Sequence, residues 1–422
     1  MTSCTILETL RRLPEEAELL SAGPLNRRPV VNSHVHLPPN FSAFDSVGQL
    51  IKASSDQHVE VLGVSNYYDY SIYEDFAAQA RSAGIFPLFG CEIIARLEDL
   101  ASAGVRINDP GNAGKMYICG KGIIGFSSPS ARATQLLEII RGSDSARMAR
   151  MARKLCEVFA GCGVTLDLDA PAIVQRVVDR HNLPAHTVYL QERHLAGAFA
   201  EEFLRLVAPA DRAGKLAQVF SAQPTHDASD AGKVANDIRS YLMKAGRKAF
   251  VEETFVSFDE ARELVLQLGG IPCYPTLADG ANPICAFEDP IDKMIADIAA
   301  RGIYAAELIP IRNSPETLKA YARAMRSAGL ILLGGTEHNT PDMLPIEPAC
   351  RGGSAVSEDI KDMFWQGACV SAAHQYLAAR GRRGYVDSNG VLNSDFNDNE
   401  ERVEYFSRLG SAVIAAYLRG GS

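Results

Sequence analysis

The sequence predicts an α/β fold, a distorted (β/α)7-type barrel with a helical insertion and a C-terminal extension. Three observations carry this. First, seven short apolar or β-branched runs recur along the chain, with helical periodicity between several of them. Such alternation implies parallel strands joined by crossovers, and so many repeats favour a closed barrel over an open sheet. Second, a mainly helical stretch over about residues 131–250 is too long for a connecting loop and reads as an insertion. Third, a chain of 422 residues accommodates one barrel of ~250 residues with additions.

The elements follow in order. Residues 1–26 read as an N-terminal amphipathic helix, with Leu7, Leu10, Leu13, Leu19 and Leu20 roughly on one face. The barrel spans residues 27–345. Its strands are expected over 29–36, 59–66, 85–94, 116–124, 270–276, 304–311 and 330–338, and helices over 72–83, 258–268 and 315–328. Within the insertion, residues 222–235 look the most flexible. Residues 341–357, rich in proline and glycine, read as a lid or linker. They lead into an extension over 346–422, with helices at 371–379 and 400–418 around a polar loop at 386–399.

Composition excludes several classes of function. With 47% hydrophobic and 22% charged residues the chain is not a disordered one. A net charge of −9, from 51 acidic and 42 basic residues, argues against an extended nucleic-acid surface. A local basic pocket for a small anion stays open. No apolar run approaches the ~18 residues of a membrane span, and the charged N-terminus is not a secretory signal. The nine cysteines include no C-x-x-C pair and no zinc-ribbon spacing, so reduced thiols and a cytoplasmic location are expected. A homo-oligomer is compatible with all of this.

Barrel enzymes carry their chemistry at the C-terminal ends of strands. The first strand ends in His34-Val35-His36, whose imidazoles share a face and can converge on one ion. The third ends in Phe89-Gly90-Cys91-Glu92, and the last in Gly334-Gly335-Thr336-Glu337-His338. Arg312-Asn313 closes the strand at 304–311 and offers an anion contact. His58, His181, His186, His226 and His374 lie away from strand ends and read as structural or surface residues. Cys91 points away from Glu92 by alternation and reads as core, as does Cys119.

The chain resembles the polymerase-and-histidinol-phosphatase superfamily of metal-dependent phosphoesterases over about residues 28–343. The likeness rests on Asn32-Ser33-His34-Val35-His36, on Gly63-Val64-Ser65-Asn66-Tyr67, and on Ala83-Gly84-Ile85-Phe86-Pro87-Leu88-Phe89-Gly90-Cys91-Glu92. The stretch Gln191-Glu192-Arg193-His194-Leu195 is similar to the subgroup of nucleoside-bisphosphate and oligoribonucleotide phosphatases. Where that family carries further histidines and acids, this chain has Asn66-Tyr67, Tyr117 and Cys273-Tyr274-Pro275, and its terminal acid is Glu337. The resemblance implies a divalent ion (zinc, manganese or iron) held by His34, His36, Glu92 and Glu337. Tyrosine is a poorer ligand than imidazole at neutral pH, so one ion per chain is expected instead of three.

The expected activity is hydrolysis of a small anionic substrate, a phosphorylated one by resemblance, through a metal-activated water. His338, Glu337, Tyr274 and Tyr67 are the expected catalytic groups. Arg193, His194, Tyr117, Arg312 and Asn66 are the expected substrate contacts. Two alternatives stand beside this reading. One is a metal-dependent isomerase, lyase or C–N/C–O hydrolase; the other is a degenerate, non-catalytic ligand-binding member.

Overall fold

The computed structural model describes residues 5–340 and 342–420. The chain divides into two compact units, one of Met1–Leu37, Ser46–Leu137 and Val256–Ser422, the other of Pro38–Asp45 and Glu138–Phe255.

The first unit is built on one sheet: β1 (Val30–Val35), β2 (Val59–Asn66), β3 (Phe86–Arg96), β4 (Lys115–Lys121), β5 (Val256–Ser257), β6 (Ile271–Thr276), β7 (Ala305–Leu308) and β8 (Ile331–Gly334). The order is β1-β2-β3-β4-β6-β7-β8, with the two-residue β5 beside β3. Beyond β8, Glu337 bridges back to Val35 and brings the ends of the sheet together as a nearly closed barrel. His36 N–H donates to the Glu337 carbonyl at 2.8 Å and Glu337 N–H to that of His34 at 2.8 Å. All seven expected strands are present.

One feature of the sheet departs from the expected alternation. β4 runs antiparallel to both β3 and β6, whereas the other main-path pairs are parallel. The segment between β3 and β4 holds only the 5-residue helix Glu98–Ser102, too little for a crossover, so the chain turns straight back.

Helices Tyr73–Ser82, Phe258–Gln267 and Pro315–Ser327 lie within a residue of the expected bounds. The N-terminal segment differs. Pro14, which has no amide hydrogen, lies between two helices, Ile6–Arg12 and Glu16–Ala22. The C-terminal residues form part of the barrel unit. The helix Glu358–Ala379 starts well before residue 371 and lies on β8, where a Cβ at Gly367 would come within 1.9 Å of the Leu332 carbonyl oxygen. From the same helix Gln375 accepts from Phe89 N–H at 3.1 Å and donates to the Pro87 carbonyl at 3.2 Å. Pro341, at the start of the expected lid, lies outside the described residues.

The second unit holds the helices Ala170–His181, Glu192–Leu206, Arg212–Phe220 and Ala231–Ile238, and most of Ala131–Ala160. Its core gathers Leu155, Phe159, Phe199, Phe203, Leu216, Val219 and Ile238. In the stretch expected to be most flexible, His226 Nδ1 meets Asp237 at 2.6 Å, and the same carboxylate takes the Thr225 and His226 amides. Among the described residues no helix is long and apolar enough to cross a membrane. The eight described cysteines are free thiols, and Cys4 lies outside the described residues.

Candidate metal centre

β1 extends His34 toward the barrel axis, and His36, just past its end, falls on the same face. Glu92 arrives from β3, opposite Cys119 of β4. All three side chains are buried. The two Nε2 atoms lie 3.3 Å apart, and Glu92 Oε2 lies 3.5 Å from that of His34 and 3.1 Å from that of His36. Metal–ligand bonds of about 2.1 Å in a tetrahedron place donor atoms about 3.4 Å apart. The triangle therefore fits one small divalent ion. Glu92 Oε2 is buried and accepts no hydrogen bond, although its partner Oε1 takes the Tyr67 hydroxyl at 3.0 Å. A buried carboxylate oxygen that faces only two imidazole nitrogens is what a cation among the three would satisfy.

The backbone is shaped to permit this. At Gly335, where the chain leaves β8, a Cβ would lie 2.5 Å from His34 Cβ. Glu337 and His338 follow with φ of 59° and 51°, two successive left-handed residues with side chains. Such backbone is costly and persists only when its surroundings fix it. The bridge to β1 does so, together with a chain of side-chain bonds. Asn32 Nδ2 donates to Thr336 Oγ1 at 2.6 Å, and Thr336 Oγ1 pairs with His338 Nδ1 at 2.7 Å. His338 Nε2 meets the Leu344 carbonyl at 2.9 Å. A carbonyl only accepts, so Nε2 carries the proton and Nδ1 accepts from the threonine. Burial, with His36 also acting against the imidazolium, outweighs the Leu344 carbonyl and holds His338 below the usual histidine range. Both ring nitrogens of His338, expected as an acid/base group, are thus engaged within the protein.

A second layer lies behind His34. Glu307, from the middle of β7, is fully buried and places Oε2 2.7 Å from His34 Nδ1. Its Oε1 takes the Lys121 ammonium at 2.6 Å. A carboxylate on Nδ1–H fixes the tautomer that presents the Nε2 lone pair to an ion. Burial alone would disfavour the imidazolium of His34; Glu307 overrides it and pushes the pKa up to about 9. Burial likewise opposes ionisation of Glu307, and Lys121 with His34 pulls it down to about 2. Neither Glu307 nor Lys121 was expected from sequence. The available signal was a lone acid inside the apolar run Ala305-Ala306-Glu307-Leu308, which once buried demands a cation.

The remaining expected residues divide. Glu337 lies at the barrel rim, but its carboxylate is held by Arg312, through Nη1 at 2.8 Å and through Nη2, and by Asn339 Nδ2 at 2.6 Å. It stands outside the His34–His36–Glu92 group of converging donors. Of the expected four ligands three converge, while Glu337 is paired with a guanidinium. Tyr67 stacks on His36, with centroids 5.2 Å apart and planes 12° apart, while donating to Glu92. Burial and then the Glu92 charge hold its phenol well above the usual range, so it stays a proton donor.

Tyr274 belongs elsewhere. It occupies the face of β6 opposite Cys273, and its hydroxyl donates to the buried Glu288 at 2.8 Å. The Glu288 carboxylate also takes the Leu277 and Ala278 amides, and the loop after β6 is thereby held. The Asn66 amide, expected as a substrate contact, brackets Leu37, accepting from the backbone N–H at 2.8 Å and donating to the carbonyl at 3.0 Å. Tyr117 lies half-buried on the face of β4 that carries Cys119, with Lys115 Nζ 5.1 Å from its ring centroid. Arg193 and His194 belong to the second unit. There Arg193 sits over Phe41, and the buried His194 accepts the Gln191 amide at the start of its helix. His194 is a cap, and burial drives its pKa down to about 3.

No protein-family model matches the chain, and no curated protein does. Solved structures share its fold, among them the following two. A candidate metal-dependent phosphoesterase from Bifidobacterium adolescentis superposes with a TM-score of 0.54 at 14% identity, covering 82% of this chain and 97% of its own. An amidohydrolase from Chromobacterium violaceum, solved with sulfate and no metal, gives 0.50 at 16% identity, covering 79% and 96%. At these identities the likeness is one of architecture: the chain is similar to both in having a distorted α/β barrel with helical additions.

Proposed function

We propose that this chain is a metal-dependent hydrolase acting on a small anionic substrate, with one divalent ion held by His34, His36 and Glu92. The observation that carries the reading is the buried triangle of donors at 3.1–3.5 Å formed by His34, His36 and Glu92. Two imidazoles and one carboxylate form a donor set common to hydrolytic zinc, which leaves a fourth position for water or substrate. A divalent ion in such a set brings the pKa of a coordinated water toward neutrality and polarises the bond to be cleaved. Glu307 orients His34, Tyr67 orients Glu92, and the half-buried Arg312 supplies positive charge at the rim beside Glu337.

A phosphoester is the substrate bond suggested by the motif resemblance and in keeping with the first structural neighbour. Charge balance favours a second reading, hydrolysis of a C–N or C–O bond. Glu307 is matched by Lys121 and Glu337 by Arg312, so an ion with Glu92 leaves one net positive charge. That suits a singly charged transition state better than a phosphate dianion. Protein purified without chelator should hold about one equivalent of zinc, manganese or iron, read by elemental analysis. Release of phosphate from phosphoesters, or of amine from acylated amines, then assigns the bond. A chain with no stoichiometric ion and no turnover of either panel would remove the reading.

A further inference from the structure

We propose that the Lys121 ammonium occupies a second, latent cation site inside the barrel, so that the chain carries one exchangeable divalent ion and one covalently tethered cation. The proposal rests on the ion site described above and explains why a pocket with more donors than one ion needs takes only one.

A second group of donors comprises His34, Cys119 and Glu307, all buried. The Cys119 thiol points at Glu307 Oε2 from 3.7 Å. Cys273 pairs with Cys119 in the β4–β6 register and is likewise buried. A carboxylate beside a thiol and an imidazole is a good site for a soft or borderline divalent ion. Here the charge is already neutralised. Lys121 Nζ lies 2.6 Å from Glu307 Oε1, 3.3 Å from Ser65 Oγ and 3.5 Å from the Ser33 carbonyl. Those are three acceptors for the three hydrogens of an ammonium, so the group is fully satisfied despite being buried.

The tethered cation also serves the first site. Without it Glu307 would be a bare buried carboxylate, free to draw a mobile ion between itself and Cys119 and to turn away from His34 Nδ1. With it, Glu307 Oε1 is committed to lysine and Oε2 to the imidazole. Lys121 is thus a positioning residue that acts on His34 through Glu307, and it sets the number of exchangeable ions at one.

Cobalt(II) loading reads this directly, because a thiolate ligand adds intense near-ultraviolet charge-transfer absorption that imidazole and carboxylate do not. The wild-type chain should take about one cobalt with no thiolate band. Lys121→Ala, which removes the ammonium and opens space beside Glu307, should take about two and show the band. Adding Cys119→Ser to that variant should weaken or abolish it. A folded Lys121→Ala protein with one cobalt and no band overturns the proposal, and so does a thiolate band in the wild type. Should Lys121→Ala be unfolded without metal, cobalt should restore its folded circular dichroism; a chain that stays unfolded also overturns it. The two readings fail separately. Wild-type protein that takes no cobalt beside a variant that takes one thiolate-bound ion would sink the hydrolytic site and leave the latent site standing.

Discussion

Three carboxylates surround the barrel mouth, and two of them have a cation of their own. Glu307 has Lys121 and Glu337 has Arg312, whereas Glu92 faces two imidazoles and a phenol. Glu92 is therefore where an added ion gains most. Glu92→Gln should abolish stoichiometric metal, and Tyr67→Phe, which only releases Oε1, should weaken it about 10- to 100-fold, the usual range for an outer partner. Competition with a chelator measures both, and equal affinity in all three proteins would disprove the assignment. The pH dependence follows from His34. Its pKa is pushed up to about 9, so below that pH a proton occupies the nitrogen that the ion needs. Apparent affinity should rise about tenfold per pH unit toward 9 and level off above it, with one proton released per ion bound. Calorimetry in buffers of different ionisation enthalpy would reveal a proton count of zero if His34 is not a ligand. At this scale the proposed ligands His34, His36 and Glu92 are legible in the sequence, because a His-x-His at a strand end and an acid beside a tight glycine are local patterns. It hid Glu307 and Lys121, whose partnership joins strands far apart along the chain.

At the scale of elements, strand parity decided which side chains could meet. Tyr274 stands where a metal-binding histidine is expected, yet its hydroxyl meets Glu288 while the neighbouring Cys273 pairs with Cys119 of β4. Parity on an isolated strand can be counted, but its absolute sense depends on the neighbours that cover each face. The antiparallel sense of β4 was equally hard to read, since its run looks like any other; only the short link from β3 betrays it. The end of β8 is the element most finely adjusted to the site. Gly335→Ala should place a methyl carbon 2.5 Å from His34 Cβ, where backbone and not a flexible side-chain tip must yield. Overpacking of this kind costs about 1–3 kcal/mol, and the displaced strand carries His34 with it. Loss of bound metal together with a lower denaturation midpoint is the expected outcome. Unchanged metal content with a lower midpoint would mean that the barrel rim relaxes without moving the imidazole.

At the scale of the molecule, the ligands of the proposed ion come from β1, β3 and the segment that follows β1, all within the barrel unit, and Glu337 beyond β8 closes that same ring. An ion at the centre thus ties together strands that are neighbours only through tertiary structure, and its binding free energy adds to the stability of that unit. At a free ion concentration 1,000 times Kd the gain is about 4 kcal/mol. The helical unit has its own core around Phe159, Phe199 and Phe203 and contributes none of the three ligands. Metal should therefore slow amide hydrogen exchange in β1, β3 and β8 by up to about a thousandfold where exchange needs global opening of the barrel, the factor equivalent to that free energy. Amides in Glu192–Leu206 and Arg212–Phe220 should change far less. Equal protection across both units would show that they open as one cooperative body, and no protection in β1 and β3 would show that the ion binds elsewhere. Either result is decisive because both ligand-bearing strands pair with β2: an ion held by His34 and Glu92 cannot leave their backbone untouched.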